Sequence, residues 1–117
     1  MMKLILTDSE WLRGEGWESL LYRAKDKKKC CLGVCLVDLY ACPVKYLDDI
    51  GSPEGLNHEE FKLPTWMAPR GIGEDAPLIK DMIKINDAKG VSDEERVEKL
   101  KPLFAKVGIE LEFRPEE

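Results

Sequence analysis

The chain has 117 residues, 44% of them hydrophobic, and its 18 basic and 23 acidic residues give a net charge of −5. This composition excludes a disordered chain, and the negative charge argues against general binding to nucleic-acid backbones. The length suits one domain, so we expect residues 1–117 to form a single globular domain that buries about two-thirds of its unfolded surface.

The N-terminal half predicts two strands and a central helix. Residues 3–7 alternate weakly between apolar and polar side chains and indicate a short strand. Residues 19–24 indicate a second strand, and the polar residues 25–28 after it indicate a turn. Residues 32–42 are apolar nearly all round a helical wheel, which is typical of a buried helix. A strand over 30–37 is the alternative, because short apolar runs are ambiguous.

The middle of the chain predicts helices on either side of a long loop. Pro43 suits the first turn of a short helix over 44–50. Residues 51–76 are rich in glycine and proline and indicate a long irregular segment, and loops of this length are usually functional or mobile. Apolar side chains at helical spacing then predict a helix over 76–85.

The C-terminal part predicts a helix and a strand, and it completes an α+β fold. Ser92 opens a capping box at the start of the last helix, which Pro102 should kink or split. Residues 109–113 alternate as in a half-buried strand. We expect a small antiparallel sheet of the N-terminal strand, residues 19–24 and the C-terminal strand. Three to four helices should pack on it, with the 32–42 helix at the centre.

The chain has four cysteines, which we expect to be free thiols in the cytosol. No apolar run approaches the roughly 20 residues that cross a bilayer, and the apolar start is too short for a signal peptide. Cys31, Cys35 and Cys42 share one helix face and suit small core residues. Alternatively, Cys30 or Cys31 at a helix start could be a nucleophile with His58 as its base. No C-x-x-C motif is present, so we expect neither a metal nor another cofactor.

Asp38 falls on the same face of the predicted helix as the cysteines. A carboxylate buried there must find a partner or stay protonated, and it would then be a candidate acid at a site. The alternative is that this turn of the helix is exposed.

Aromatic and arginine side chains in loop-like segments form the candidate ligand-binding set. Indole rings stack on nucleotide bases, and arginine binds phosphate through two parallel hydrogen bonds. The competing interpretation is that the indoles close the core and that the Asn-Asp pair only ends a helix. The candidates are Trp11, Arg13, Trp17, Arg23, Trp66, Arg70, Asn86 and Asp87.

Several short motifs occur in an order that resembles a group of small, uncharacterised bacteriophage and prophage proteins. The matching segments are 11–16, 21–23, 30–33, 63–66, 86–87 and 104–113. The Cys-Cys-Leu-Gly segment at 30–33 is the most specific of them. The chain departs from this pattern after Pro43 and in the long loop before Trp66. The resemblance implies an accessory protein made in the cytosol of an infected or lysogenic bacterium, and it implies no catalytic residues.

The function that we expect is non-enzymatic binding, as in a counter-defence protein that sequesters a nucleotide-like signal or blocks a host protein. One alternative is a thiol-dependent hydrolase that uses Cys30 or Cys31 with His58. Another is a structural module that forms a homo-oligomer through exposed apolar residues. We expect neither a membrane nor nucleic acid in general as a partner.

Overall fold

The computed structural model describes residues 2–14, 20–51, 53, 56, 61–67 and 76–115. Its elements in chain order are β1 (Met2–Thr7), α1 (Cys31–Tyr40), α2 (Ala76–Asp87), α3 (Asp93–Ala105) and β2 (Ile109–Arg114), with short 3₁₀ turns at Val44–Leu47 and Thr65–Met67. Within these ranges, no helix has the length and apolar character needed to cross a membrane.

The sheet consists of β1 and β2, which run parallel, so the predicted antiparallel sheet is wrong. The register pairs Met2 with Ile109 and Thr7 with Arg114. All three helices lie between the two strands in the chain, and such a long connection can return the chain to the same end of the sheet. The alternation that predicted each strand carries no information on their relative direction.

The predicted strand over 19–24 is also absent from the sheet. Residue 19 lies outside the described part of the chain, while Tyr22 and Arg23 form only isolated bridges, with Asp48 and Lys28 respectively. The backbone groups of this segment are used elsewhere: the Leu21 N–H donates to the Ile50 carbonyl at 2.7 Å. The segment therefore packs across the start of α1 instead of extending the sheet.

The central helix α1 confirms the helical interpretation of the apolar run. Residues 31–36 are buried, and α1 contacts both β1 and α2. The helix ends before residue 42 because Ala41 adopts a left-handed conformation with a φ of 56°. Asp38 lies in the last turn of α1, and its side chain is exposed. The interpretation of Asp38 as a buried acid is therefore wrong.

Helices α2 and α3 confirm the remaining helical predictions. The Ser92 hydroxyl accepts a hydrogen bond from the Glu95 backbone N–H at 3.1 Å, which is one of the two bonds of a capping box, while the Glu95 carboxylate lies 3.3 Å from the Lys99 ammonium. Helix α3 continues through Pro102 as one element and is not split. The predicted helix at 44–50 is shorter, and only Val44–Leu47 forms a 3₁₀ turn.

The hydrophobic core lies against one face of the two-stranded sheet. Leu4 and Leu111 are register partners, and both are buried on this face. The opposite face is polar: the Lys3 ammonium lies 2.8 Å from the Glu112 carboxylate. The helices stack on the apolar side of the sheet, where α1 contacts β1, α3 contacts β2, and α2 packs on α1 and α3.

Candidate functional site

Asn86, in the last turn of α2, joins three distant segments of the chain. Its side chain is buried, with 1% exposed, and its Oδ1 accepts hydrogen bonds from Trp11 Nε1 at 2.7 Å and from the Cys31 backbone N–H at 3.1 Å. Its Nδ2 donates to the Leu12 carbonyl at 3.0 Å. The hydrogen bonds of this one amide therefore fix the segment at 11–12 against the start of α1 and the end of α2.

Arg96 performs a similar task between α2 and α3. Its side chain is only 3% exposed, and Nη1 donates to the carbonyls of Ile85, Asn86 and Ala88 at 2.8–3.1 Å. Nη2 donates to the Val91 carbonyl at 3.0 Å. Arg96 therefore satisfies carbonyls at the end of α2 that have no further helical turn to bond with.

Arg13 is held in one orientation beside this network. Its Nε and Nη2 donate to the two carboxylate oxygens of Asp93 at 3.0 and 2.8 Å, and Nη2 also reaches Asp8 at 2.5 Å. The guanidinium carbon lies 4.9 Å from the centre of the Trp11 ring. The hydrogen bond from Arg13 holds the pKa of Asp93 below its ordinary value, so this ion pair persists at neutral pH.

Arg13 and a basic hairpin together enclose a polar cavity. The cavity has a volume of about 260 Å³, and its lining residues are Asp8, Trp11, Leu12, Arg13, Arg23 and Lys28. The hairpin itself, residues 23–29, carries five cationic side chains and one carboxylate in a chain whose net charge is −5. The hairpin therefore places a local excess of positive charge beside the cavity, and we call this space the basic cavity.

The structure brings three of the predicted site residues to the basic cavity, namely Trp11, Arg13 and Arg23. Trp11 is fully buried, and its ring meets Phe113 edge to face at 5.4 Å between centroids. These contacts favour a structural role for the Trp11 indole over stacking on a base. Asn86 lies directly behind it.

The remaining predicted site residues lie apart from the basic cavity or outside the described residues. Trp66 packs edge to face on Phe104 with 6.3 Å between ring centroids, and its Nε1 donates to the Tyr40 hydroxyl at 3.2 Å. Asp87 accepts a hydrogen bond from the Asn86 amide at 3.1 Å. Trp17 and Arg70 lie outside the described residues, as does His58.

The four cysteines are buried free thiols. Burial raises the pKa of Cys30 to about 12 and raises that of Cys31 well above its ordinary value. A thiol in this environment is a poor nucleophile, because the thiolate is the reactive form. Among the described residues, no group of three or more histidine, cysteine, aspartate or glutamate side chains could hold a metal ion.

We expect all four thiols to resist alkylation in the folded protein. Iodoacetamide at pH 8 should label them only after denaturation, because protection follows from burial and from the raised pKa. Mass spectrometry of native and urea-treated samples measures the difference. Rapid modification of Cys30 or Cys31 in the native protein would contradict this expectation and would favour the hydrolase hypothesis.

Several residues of the network were not identified from the sequence. Lys28 belongs to a visible lysine run, and its position after a turn is a signal that could have placed it beside Arg23. Asp93 is recognisable as a residue of the first turn of α3 but not as the partner of Arg13, which is 80 residues away. Arg96 carries no pattern that distinguishes it from an exposed helical arginine.

Comparisons with models of protein families, with curated proteins and with solved structures find no match for this chain.

Proposed function

We propose that this protein is a non-enzymatic binding protein that holds a small anionic molecule, such as the phosphate of a nucleotide-like signal, in the basic cavity. The observation that carries the proposal is that three cations, Arg13, Arg23 and Lys28, line one space of about 260 Å³ with a single acid, Asp8, which already pairs with Arg13. This volume is below the roughly 300–1,000 Å³ of pockets for drug-sized ligands. A phosphate with an attached sugar would fill it, and a base would extend over its rim.

The three cations have different tasks in this proposal. Arg13 already donates to Asp93, Asp8 and the Trp11 carbonyl, so it forms a rigid wall of the cavity. Arg23 is anchored by Asp26, whose carboxylate lies 2.7 Å from Nη2. The Lys28 ammonium forms no ion pair with any described residue and supplies the positive charge that approaches a bound phosphate. Such a point charge on a flexible stem is a common phosphate ligand.

The binding test compares variants of cavity residues with a variant outside the cavity. Isothermal titration calorimetry with inorganic phosphate and with mono-, di- and cyclic nucleotides should detect one ligand for the wild type. Lys28→Ala and Arg23→Ala should each weaken its binding by about tenfold or more, since a charge-assisted hydrogen bond contributes about 1.5–3 kcal/mol. The melting temperature of Lys28→Ala should hardly change, because the Lys28 ammonium forms no ion pair with a described residue. Arg23→Ala should lower it, because the Arg23 side chain is only 13% exposed and pairs with Asp26.

Lys25→Ala is the matched control. Lys25 is exposed on the same hairpin but does not line the cavity, so its removal lowers the overall positive charge by the same amount. Its affinity should stay within about twofold of the wild type, because screening weakens distant exposed charges. An equal loss of affinity in Lys25→Ala and Lys28→Ala, or the absence of binding to every probe, would contradict the proposal.

The setting that we propose is the cytosol of a bacterium that carries a phage or prophage. It rests on the sequence motifs alone. Native mass spectrometry of protein purified from a bacterial host tests it together with the ligand. A bound mass of a few hundred daltons that denaturation releases as a nucleotide would support a protein that sequesters a signal.

A further inference from the structure

On the side opposite β1, strand β2 pairs with no other strand among the described residues. The Met2 N–H donates to the Gly108 carbonyl at 3.1 Å, and Met2 is the register partner of Ile109. In a parallel pair, alternate residues of a strand bond to the same neighbour, so the backbone groups of Ile109, Leu111 and Phe113 point away from β1. None of these groups bonds to another described residue, but Ile109 is fully buried, so only Leu111 and Phe113 can offer their backbone groups to a partner. They form a template for one more strand.

A groove between α3 and β2 follows this edge. It consists of two adjoining cavities of about 350 and 240 Å³, which share Lys101, Glu110 and Leu111. Four consecutive residues of β2, 110–113, line the larger cavity. Since successive side chains of a strand point to opposite faces, a space that touches all four must lie along the edge of the strand. The open backbone groups therefore face a space in which an extended chain could lie.

We propose that this edge groove docks an extended basic segment of a partner protein, which adds to the sheet as a third strand beside β2. The acidic residues that line the groove are Glu94, Glu98, Glu110 and Glu112, and its cation is Lys101. Glu112 already pairs with Lys3 and Arg114, and Glu98 pairs with Lys101, whereas Glu94 and Glu110 form no ion pair with a described residue and are open to a basic partner. Backbone hydrogen bonds would provide affinity, and alternate side chains would provide specificity. This surface shares no lining residue with the basic cavity, so the inference goes beyond the proposed function and is independent of it.

The two faces of the sheet indicate the pattern of the partner segment. Its apolar side chains would lie beside Leu111 and Phe113 on the core side, next to Val97 of α3. Its basic side chains would lie on the polar side beside Glu110, since Glu112 already pairs with Lys3 and Arg114. Lysine and β-branched residues in alternation satisfy both faces.

A second copy of the chain fits the edge groove less well than a basic partner. Antiparallel pairing of β2 with its own copy, centred on Leu111, places glutamates of the two chains directly opposite each other. Like charges opposite one another destabilise a strand pair. Charged residues at an exposed edge are a common means by which proteins prevent such self-association.

The test uses a capped seven-residue peptide, Lys-Val-Lys-Val-Lys-Val-Lys, and amide hydrogen exchange measured by NMR. Binding should slow exchange at Leu111 and Phe113 by about tenfold or more, because their N–H groups gain partners. The amides of Glu110 and Glu112 should change little, since they already point to β1. A peptide with glutamate in place of each lysine should not bind. No binding of the lysine peptide, or binding without this alternating protection, would overturn the proposal.

Charge reversal on the protein provides the second arm. Glu110→Lys should weaken peptide binding by about tenfold or more, whereas Asp81→Lys, an exposed acid of α2 outside the groove, should change it by less than about twofold. If both variants lost the same affinity for the peptide, the peptide would be attracted by the net charge of the protein alone, and the proposal would be overturned. Alternating protection in the peptide-free protein, rising with protein concentration, would also overturn it, in favour of a second copy as the occupant.

Discussion

Replacing Gly33 with alanine should lower the free energy of unfolding by about 3 kcal/mol or more. Gly33 lies in the buried part of α1, where the backbone at Leu21 crosses the helix. A Cβ atom built on Gly33 would overlap the Leu21 carbonyl oxygen and would lie 2.8 Å from its carbonyl carbon. Both atoms belong to the backbone, so no side-chain rotation can relieve the overlap. Urea denaturation followed by tryptophan fluorescence measures the loss.

Gly51→Ala is the control for this prediction. No heavy atom lies within 4 Å of the corresponding Cβ position, and Gly51 does not adopt a positive φ. Alanine there should leave stability unchanged or raise it by up to about 1 kcal/mol, through a smaller entropy of the unfolded chain. Similar effects of the two substitutions would show that the backbone at Leu21 does not pass close to α1.

Replacing Asn86 with leucine should cost about 4 kcal/mol of stability. The change keeps the branched shape of the side chain, although leucine is larger, and it leaves the Trp11 indole N–H and the Cys31 backbone N–H buried without a partner. The Leu12 carbonyl also loses its donor. Each buried polar group left unsatisfied costs about 1–3 kcal/mol, and partial relaxation keeps the total below the sum.

Lys84→Leu introduces the same residue on an exposed position of α2, and its stability should stay within about 0.5 kcal/mol of the wild type. The indole N–H resonance of Trp11 offers an independent readout, since it should move when its acceptor at 2.7 Å is removed. If the stability of Asn86→Leu matched that of Lys84→Leu, or if the resonance did not move, the amide would not be the junction described above.

Local patterns predicted the helices, whereas the sheet depended on distant contacts. The capping box at Ser92 involves residues only three apart, and the apolar run of α1 is continuous in the chain. The direction of β2 relative to β1 depends on how the three helices that separate these strands in the sequence pack together. A short local sequence pattern carries no information on this packing. The segment at 20–24 was misinterpreted for a related reason: its hydrogen bonds go to Lys28 and to the loop at 48–50.

The candidate site was predicted only in part, because it also depends on contacts between residues far apart in the sequence. Arginine and tryptophan were chosen for their chemistry, and the structure brings Arg13 and Arg23 to one cavity. The sequence around Trp11 is mixed in polarity, so it could not distinguish a buried indole from an exposed one. The hydrogen bond from Trp11 to Asn86 spans 75 residues, and burial of this kind becomes visible only in three dimensions.

The start of α1 has a consequence for how the molecule unfolds. No side chain at its N-cap residue, Cys30, bonds to the helix, and the Cys31 N–H donates instead to Asn86 from the far end of α2. The first N–H groups of a helix are normally capped by a nearby side chain or by water, so a helix end can fray without disturbing distant parts of the chain. Opening the first turn of α1 therefore also breaks its hydrogen bond to the end of α2. This bond couples the two helix ends, and an isolated peptide with the sequence of α1 would lack the group that accepts it.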